Sequence, residues 1–307
     1  MKISISQSSV WAKFFTEREY YARIRACGFK HIDYNFYEFV GSDASPYMAD
    51  DWKEQTYATR EVFDKLGMTP VISHAPKGEP CLDTEGIARR TMRSAEMCPI
   101  LGIDRMVYHP GGIRGMSRKE YLDFNVKYVQ SLLPALEKNN VMLLLENVGR
   151  WDEPFYCHNA EEMLDLIEKV NHPLYHACVD TGHLNLADGD LYATITGLGS
   201  HLKGLHIQDN LGSLPVQMLD KPWRQDLHLP PLTAGVDFDE MMQALIKIGY
   251  DGPFNMEPES PRAYDKANKF AVNPRLRTVS PELAEEFYKW VYNIAEYMLK
   301  TYEIEVE

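Results

Sequence analysis

The sequence has few cysteines, and they lack the spacing of a metal or redox motif. Five cysteines occur in 307 residues, which is an odd number, and no two of them form a Cys-x-x-Cys pair. They are Cys27, Cys81, Cys98, Cys157 and Cys178. This usage argues against a disulfide framework and a structural zinc knot, and it predicts a reducing, cytoplasmic setting.

Long apolar runs and a surplus of basic residues are also missing. No apolar run is long enough to cross a bilayer, and the first residues, 1–6, have the pattern of a strand rather than of a secretion signal. The chain has 32 Lys and Arg residues against 45 Asp and Glu residues, for a formal net charge of −13. Because phosphate groups repel such a chain at long range, we expect neither a membrane nor a nucleic acid as partner.

What the sequence does contain is a regular alternation of short apolar runs with amphipathic stretches. The runs predict strands at Ile3–Ile5, His31–Phe36, Pro70–His74, Met106–His109, Val141–Glu146, Tyr175–Asp180, Gly204–Ile207 and Pro253–Glu257. The stretches predict helices at about 16–28, 51–66, 84–101, 117–138, 159–170, 191–198, 237–248 and 281–299. Strands joined by helical crossovers lie parallel, so the order predicts one (β/α)₈ barrel domain over residues 1–307.

Residues at the predicted helix ends agree with these limits. N-cap residues are expected at Thr16, Ser117, Asn159, Asp237 and Ser280, the last of which is followed by Pro281. Glycines that suit a left-handed C-terminal residue are Gly28, Gly67, Gly102 and Gly249.

Three long connections follow predicted strands and therefore lie on the face where barrel active sites form. They span Tyr37–Asp50, Asp209–Val236 and Glu259–Ser280, and the first is equally consistent with surface decoration. Aromatic side chains that could line a sugar pocket are Trp11, Trp151 and Trp223, although packing within the loops explains them equally well. Cations that could meet a phosphate or carboxylate are Arg150, Arg224 and Arg262, but no glycine-rich phosphate loop follows the late strands.

Histidine and carboxylate residues accumulate where the predicted strands end. They are His74, His109, Glu146, Asp180, His183, His206, Asp226, His228 and Glu257. The other five histidines fall elsewhere, as expected for structural or solvated residues: His31, His158, His172, His176 and His201. A carboxylate such as Glu146, directly after an apolar strand, needs a cation or hydrogen-bond partners when buried. The pattern predicts a divalent-metal site, since His, Asp and Glu are its usual ligands.

These motifs resemble the xylose isomerase-like barrel superfamily, which includes sugar isomerases, ketose 3-epimerases and endonuclease IV. The resemblance rests on Glu146, on the segments 179–183 (Val-Asp-Thr-Gly-His) and 205–209 (Leu-His-Ile-Gln-Asp), and on Glu257. In the epimerase branch, the residues that match the metal ligands are Glu146, Asp180, His206 and Glu257. In the endonuclease branch, a trinuclear zinc cluster adds the residues that match His74, His109, His183, Asp226 and His228. In this sequence those five are candidates for a second metal or for substrate binding.

Departures from endonuclease IV favour the epimerase branch. Residues 146–151 read Glu-Asn-Val-Gly-Arg-Trp where endonuclease IV usually has Glu-Asn-Thr-Ala-Gly, and residues 226–231 read Asp-Leu-His-Leu-Pro-Pro without the usual Ile-Gly-x-Gly run. The expected function is a metal-dependent sugar, or sugar phosphate, isomerase or epimerase. Two alternatives stay open: an endonuclease IV-like zinc phosphodiesterase acting on abasic DNA, and a related metal-dependent lyase or dehydratase.

The resemblance also implies a mechanism. A cation (Mn, Zn, Mg or Co) stabilises the enediolate of a sugar while Glu146 and Glu257 exchange a proton with opposite faces of the substrate. Asp180 and His206 would then be ligands only, and His183 would contact the substrate oxygen or a second ion. The sequence leaves open whether the chain forms a homo-oligomer.

Overall fold

A computed structural model describes residues 1–7, 15–149, 156–213, 225–259 and 280–307. Eight parallel strands form its centre, in the order β7-β6-β5-β4-β3-β2-β1-β8. They are β1 (Ile3–Ser6), β2 (His31–Asn35), β3 (Thr69–His74), β4 (Arg105–Tyr108), β5 (Met142–Glu146), β6 (Tyr175–Asp180), β7 (Leu202–His206) and β8 (Phe254–Met256). A bridge between Ile207 and Met256 joins the two end strands, so the sheet closes into the predicted (β/α)₈ barrel.

Helices follow the strands around the outside of the barrel. They are α1 (Glu17–Ala26), α2 (Phe36–Phe39), α3 (Trp52–Leu66), α4 (Thr84–Leu101), α5 (Arg118–Asn139), α6 (Ala160–Val170), α7 (Thr181–Leu186), α8 (Leu191–Leu198), α9 (Phe238–Ile248) and α10 (Pro281–Thr301). Short 3₁₀ helices occur at Pro46–Met48 and Gly199–His201. None of the helices in the described ranges is both long and apolar enough to span a bilayer.

The helix ends confirm the expected capping residues. Thr16 and Ser117 each form a capping box with the glutamate three residues later. The N-cap side chains of Asn159, Asp237 and Ser280 accept hydrogen bonds from the first turn of α6, α9 and α10. Left-handed glycines end α3, α4 and α9, at Gly67, Gly102 and Gly249. Gly28 lies one residue beyond the cap residue of α1, with φ of +114°.

Several predicted strand boundaries differ from those of the structure by one or two residues. Phe36 begins α2 instead of ending β2, His109 and Glu257 lie just after β4 and β8, and β7 covers Leu202–His206 rather than 204–207. The connection 37–50 contains most of α2 and a 3₁₀ helix, and the described part of 209–236 shows neither helix nor strand. Apolar character continues past the last paired residue of a strand, so it overestimates the length of β2.

Side chains of the strands alternate between the helices and the barrel interior. On β5, Leu143 and Leu145 belong to the main core with the helices, whereas Leu144 belongs to a separate buried cluster with Ile72, Val107 and Cys178. Gly204 on β7 faces the same cluster, because a Cβ there would lie 2.8 Å from Leu144 Cδ1. The next inward residue on these strands, two positions later, stands at the C-terminal end of the barrel. The alternation therefore brings the predicted site residues to one place.

Candidate metal centre

The nine predicted site residues converge at the C-terminal end of the strands and fall into three groups. The groups are His74, His109 and Glu146; Glu146, Asp180, His206 and Glu257; and His183, Asp226 and His228. Within each group the potential ligand atoms lie within 4.8 Å of one another. Surface carboxylates often cluster without a cation, but here Glu146, Asp180 and His206 are fully buried. Burial makes such a concentration of charge costly unless a cation or a proton balances it.

Strand register explains why the four-residue group forms. Glu146 pairs with Cys178 across β5 and β6, and Asp180 pairs with His206 across β6 and β7. Glu257 follows β8 directly, and its backbone N–H donates to the carbonyl of Ile207 at 2.9 Å. Each residue thus ends one of four consecutive strands, and all four side chains face the barrel axis.

Two carboxylates meet at one imidazole nitrogen in this group. His206 Nδ1 lies 2.9 Å from Glu146 Oε1 and 3.2 Å from Glu257 Oε2. Burial alone would raise the pKa of Glu257, but the adjacent His206 outweighs it and lowers the pKa to about 2. Burial would lower the pKa of His206, but the negative groups around it, Glu257 and Glu146 among them, raise it well above its usual value. The carboxylates therefore stabilise a positive charge between them, and a divalent cation would provide one.

Asp180 completes the group from β6, the strand that lies between β5 with Glu146 and β7 with His206. Its Oδ1 accepts hydrogen bonds from the backbone N–H of His183 at 2.7 Å and from Gln208 Nε2 at 3.2 Å. Its Oδ2 is buried without a hydrogen-bond partner among the described residues. Burial raises the pKa of Asp180 to about 7. An unpartnered carboxylate oxygen beside two glutamates and an imidazole fits a cation site, since it supplies a lone pair that no protein donor uses.

Glu146 also belongs to the first group, with His74 and His109, through its other oxygen. Glu146 Oε2 lies 2.8 Å from His109 Nε2 and 3.4 Å from His74 Nε2, without forming a hydrogen bond of acceptable geometry to a described residue. The opposite ring nitrogen of His74 lies 3.1 Å from the carbonyl oxygen of Ala75. That contact orients His74 Nε2 toward the carboxylate. One glutamate thus connects two potential ion positions.

In the third group, backbone carbonyl oxygens fix the orientation of the two imidazole rings. Asp226 Oδ2 lies 3.3 Å from His183 Nε2 and 3.0 Å from His228 Nε2. The Nδ1 atoms of the two imidazoles lie 2.9 Å from the carbonyl oxygens of Asn147 and Glu257, respectively. A carbonyl accepts only from a protonated nitrogen, so both imidazoles carry a proton on Nδ1 and present Nε2 to Asp226, as a donor to the carboxylate or, once deprotonated, as a ligand for a cation. His228 adopts a φ of +44°, an uncommon value for a residue with a side chain.

Gln208 joins the second and third groups and was not predicted to be part of the site. Its Nε2 donates to Asp180 Oδ1 at 3.2 Å and to Asp226 Oδ1 at 2.8 Å. A Cβ on Gly182 would lie 2.2 Å from Gln208 Cδ, which explains the glycine of the Asp-Thr-Gly-His segment. The inward alternation of β7, which runs from Gly204 through His206, would have identified Gln208 if extended by one step.

Asp180 has a further structural role that the sequence did not reveal. Its side chain caps α7, and Asn147 fixes its backbone by accepting from the N–H of Asp180 at 2.7 Å and donating to its carbonyl at 3.0 Å. Helix α7 was not predicted, because its six residues include Gly182 and form less than two full turns.

Some predicted residues lie outside the part of the chain that the structure describes. They are Trp11, Trp151, Trp223, Arg150, Arg224 and Arg262. The histidines expected to be structural lie away from the three groups. His158 Nδ1, for example, contacts the carbonyl oxygen of Val148 at 2.7 Å, and His172 Nε2 contacts Glu137 Oε1 at 3.0 Å.

The fold and these side chains define a (β/α)₈ barrel with a candidate divalent-metal centre at the ends of its strands. The chain belongs to the xylose isomerase-like TIM barrel family, whose family model matches residues 22–278. It is 28% identical to the probable endonuclease 4 of Mesomycoplasma hyopneumoniae (strain 7448) over 192 residues, which are 57% of this chain and 67% of that protein.

Sugar epimerases are also among its relatives. The chain is 22% identical to the D-psicose 3-epimerase of Enterocloster bolteae over 246 residues, covering 76% of this chain and 75% of that protein. The solved structure of D-psicose 3-epimerase with D-tagatose from Clostridium cellulolyticum H10 has a TM-score of 0.74 with 17% identity, covering 97% of this chain and 99% of that one. The likeness to this solved structure demonstrates a common fold. A shared fold does not by itself imply a shared reaction.

Proposed function

We propose that the protein is a metal-dependent sugar isomerase or epimerase in which Glu146 and Glu257 transfer the proton. The observation that carries the proposal is the meeting of these two carboxylates at His206 Nδ1, at 2.9 and 3.2 Å, with Asp180 beside them. Three carboxylates and one imidazole suit Mn, Mg, Co or Zn. When bound, a divalent cation supplies a Lewis acid that stabilises negative charge on a substrate oxygen.

The two glutamates reach the site from different strands, which suits a two-base mechanism. Glu146 ends β5 and Glu257 follows β8, three strands further around the barrel. His206 keeps the pKa of both carboxyl groups below the usual range, so both are available as bases at neutral pH. One carboxylate removes the proton next to the sugar carbonyl and the other returns one. Return to the same carbon from the opposite face gives epimerisation, and return to the adjacent carbon gives an aldose–ketose shift.

Asp180 and His206 would serve as ligands, and His183 would contact the substrate oxygen or a second ion. The D-psicose 3-epimerase relative supports a ketose as substrate class. The buried position of the site favours a small molecule, since Glu146, Asp180 and His206 lie below the rim formed by the more accessible His109.

The test is a panel of ketoses in D₂O with the full chain after loading with each cation. Turnover should place solvent deuterium on the sugar and should stop on chelation. Glu257→Gln should lower kcat by about 10²–10⁴-fold, the usual contribution of a general base. The control is Glu137→Gln, which removes a carboxylate that contacts His172 before β6. Full activity in Glu257→Gln would contradict the two-carboxylate mechanism, and NMR of the products would identify a lyase or dehydratase instead.

A zinc phosphodiesterase of the endonuclease IV type, acting on abasic DNA, is the second candidate. The specific observation in its favour is the division of nine potential ligands into three groups, two of which share Glu146. The formal net charge of −13 opposes it, since a DNA-binding surface usually carries basic groups.

Zinc stoichiometry distinguishes the two candidates. Elemental analysis of the zinc-loaded chain should give a single ion per chain for the isomerase. Three ions together with cleavage of an abasic duplex, without deuterium exchange into any ketose, would establish the phosphodiesterase and overturn the isomerase.

A further inference from the structure

Asp33 on β2 is a buried carboxylate that the proposed reaction does not use. It is 1% exposed and lies inside the barrel. Its Oδ2 accepts hydrogen bonds from Ser6 Oγ at 2.8 Å and Asn255 Nδ2 at 3.2 Å. Ser4 Oγ in turn donates to Asn255 Oδ1 at 2.8 Å. We call Ser4, Ser6, Asp33 and Asn255 the polar floor, because they fill the interior from β1, β2 and β8, below the metal centre.

The polar floor reaches the candidate ligand His206 from below. His206 Nε2 lies 3.6 Å from Asp33 Oδ2, on the opposite side of the ring from the nitrogen that faces Glu146 and Glu257. Both His206 Nε2 and Asp33 Oδ1 are buried without a hydrogen-bond partner among the described residues. The oxygen nearest to His206 Nε2 is Oδ2, which already accepts from Ser6 and Asn255, so a small rotation of the carboxylate is needed for the unpartnered Oδ1 to accept the proton on Nε2.

We propose that Asp33 is a positioning residue that accepts the Nε2 proton of His206 and thereby directs Nδ1 at the cation. The inference rests on the proposed metal site and is independent of the substrate. A ligating imidazole commonly donates its outer N–H to a carboxylate or carbonyl, which fixes its tautomer and orientation. Ser6 and Asn255 hold the carboxylate in place for this purpose.

A comparison with the other candidate imidazoles supports this role. The outer nitrogens of His74, His183 and His228 face backbone carbonyl oxygens, at 3.1, 2.9 and 2.9 Å. The outer nitrogen of His206 faces a carboxylate instead. A charged acceptor makes a stronger hydrogen bond than a neutral one and so increases the donor strength of the imidazole. His206 would therefore be the best donor among these four imidazoles, in the group that holds the catalytic glutamates.

Metal affinity without turnover tests the inference. The full-length metal-free chain is titrated with Co²⁺ or Zn²⁺ in competition with a chromophoric chelator. Asp33→Ala should weaken binding by about 10- to 100-fold. Asp33→Asn keeps an acceptor oxygen and should restore part of the loss. Ser94→Ala is the control, since it removes a buried hydroxyl that donates to the carbonyl of Arg90 within α4, outside the polar floor, and it should bind as the wild type does. Urea unfolding of each metal-free variant verifies the fold.

The tautomer of His206 provides a second readout that a merely structural role would not change. In the zinc-loaded, ¹⁵N-histidine-labelled chain, His206 should carry its proton on Nε2, with the signal assigned by its loss in His206→Gln. Asp33→Ala should expose that proton to solvent exchange. Wild-type affinity in Asp33→Ala, or a proton on Nδ1 of His206, would overturn the role of Asp33 alone. A folded wild-type chain that binds no cation would overturn the metal site and this inference together.

Discussion

The barrel interior is apolar on the side of strands β3 to β6 and polar on the side of β8, β1 and β2. The first side consists of Ile72, Val107, Leu144 and Cys178. The second consists of the buried Ser4, Asp33 and Asn255 and the half-buried Ser6, which are linked by hydrogen bonds. Both sides occupy the layer below the same nine residues. The apolar side is organised as an ordinary core, whereas the polar side fixes the direction of groups above it.

This division assigns stability and the orientation of the site to different sides of the layer below the nine residues. Apolar side chains gain free energy from burial and close packing, and they place few constraints on direction. Buried polar groups contribute little net stability, but each hydrogen bond fixes a direction. Substitutions on the apolar side should therefore reduce the free energy of unfolding, and those among the charged residues should reduce turnover or metal affinity. Four predictions test this contrast.

The largest effect is expected for Glu146→Gln. Glu146 contributes one oxygen to each of two ligand groups, so the substitution should lower kcat by about 10²–10⁴-fold and lower the fraction of chains that hold a cation. Kinetics and elemental analysis measure both quantities. Leu144→Ala, two residues earlier on the same strand, is the matched comparison and should retain its metal ions. Retention of normal turnover in Glu146→Gln would contradict the division.

The second effect concerns stability. Leu144 is fully buried in the apolar cluster, so Leu144→Ala should lower the free energy of unfolding by about 2–5 kcal/mol, the usual cost of the lost transfer free energy plus a cavity. Urea denaturation of the metal-free chain measures this. If Leu144→Ala loses metal affinity without losing stability, Leu144 supports the metal site rather than the core, and the contrast between the two sides of the interior is wrong.

Gly204 should show a smaller effect of the opposite kind, overpacking. A Cβ there would lie 2.8 Å from Leu144 Cδ1 and 3.1 Å from Ile72 Cδ1. Gly204→Ala should therefore reduce the free energy of unfolding by about 1–3 kcal/mol. Since Leu144→Ala vacates that space, the double variant should be less unstable than the sum of the single changes. Strict additivity would mean that the two side chains do not compete for space.

The smallest effect is expected at Glu17, a half-buried carboxylate outside the barrel that contacts Thr59 Oγ1 at 2.9 Å and Tyr47 Oη at 3.4 Å. Burial raises its pKa above the ordinary value of 4.5. The folded state therefore binds the proton more tightly than the unfolded state, and its contribution to stability is present below about pH 4.5 and lost as the pH rises through the folded pKa.

Urea unfolding of Glu17→Gln against the wild type, over a range of pH, measures this effect. The wild type should lose stability relative to the variant as the pH rises above that value, while metal affinity stays unchanged. If the difference in the free energy of unfolding between wild type and variant does not change with pH, burial does not raise the pKa of Glu17. A change in metal affinity would extend the functional region beyond the barrel interior.

Much of this architecture follows from the sequence. The strands were predictable because each combines a short apolar run with a following helix, and the nine site residues because parallel strands of a barrel all end on one face. Helix α7 was missed because the capping side chain of Asp180 starts a helix too short to show a period.

The grouping of the site could not be predicted in the same way. Which histidine faces which oxygen of Glu146 depends on strand register and side-chain rotamers, and neither is encoded in local pattern. Asp33 was overlooked because it lies two residues before the end of β2, where a sequence pattern predicts interior packing. Gln208 was overlooked because the expected metal ligands were His, Asp and Glu. Its amide instead donates to two candidate ligands, Asp180 and Asp226.

The position of Glu146 has a consequence for how this fold changes over evolution. Its Oε1 faces the fully buried His206, whereas its Oε2 faces His109, which stands at the accessible rim. Replacing a rim imidazole would remove one ion position and leave the buried ligands in place. Evolution could therefore alter the rim of this site, and with it the number of ions that the mouth can hold, without rebuilding the interior that folds the protein.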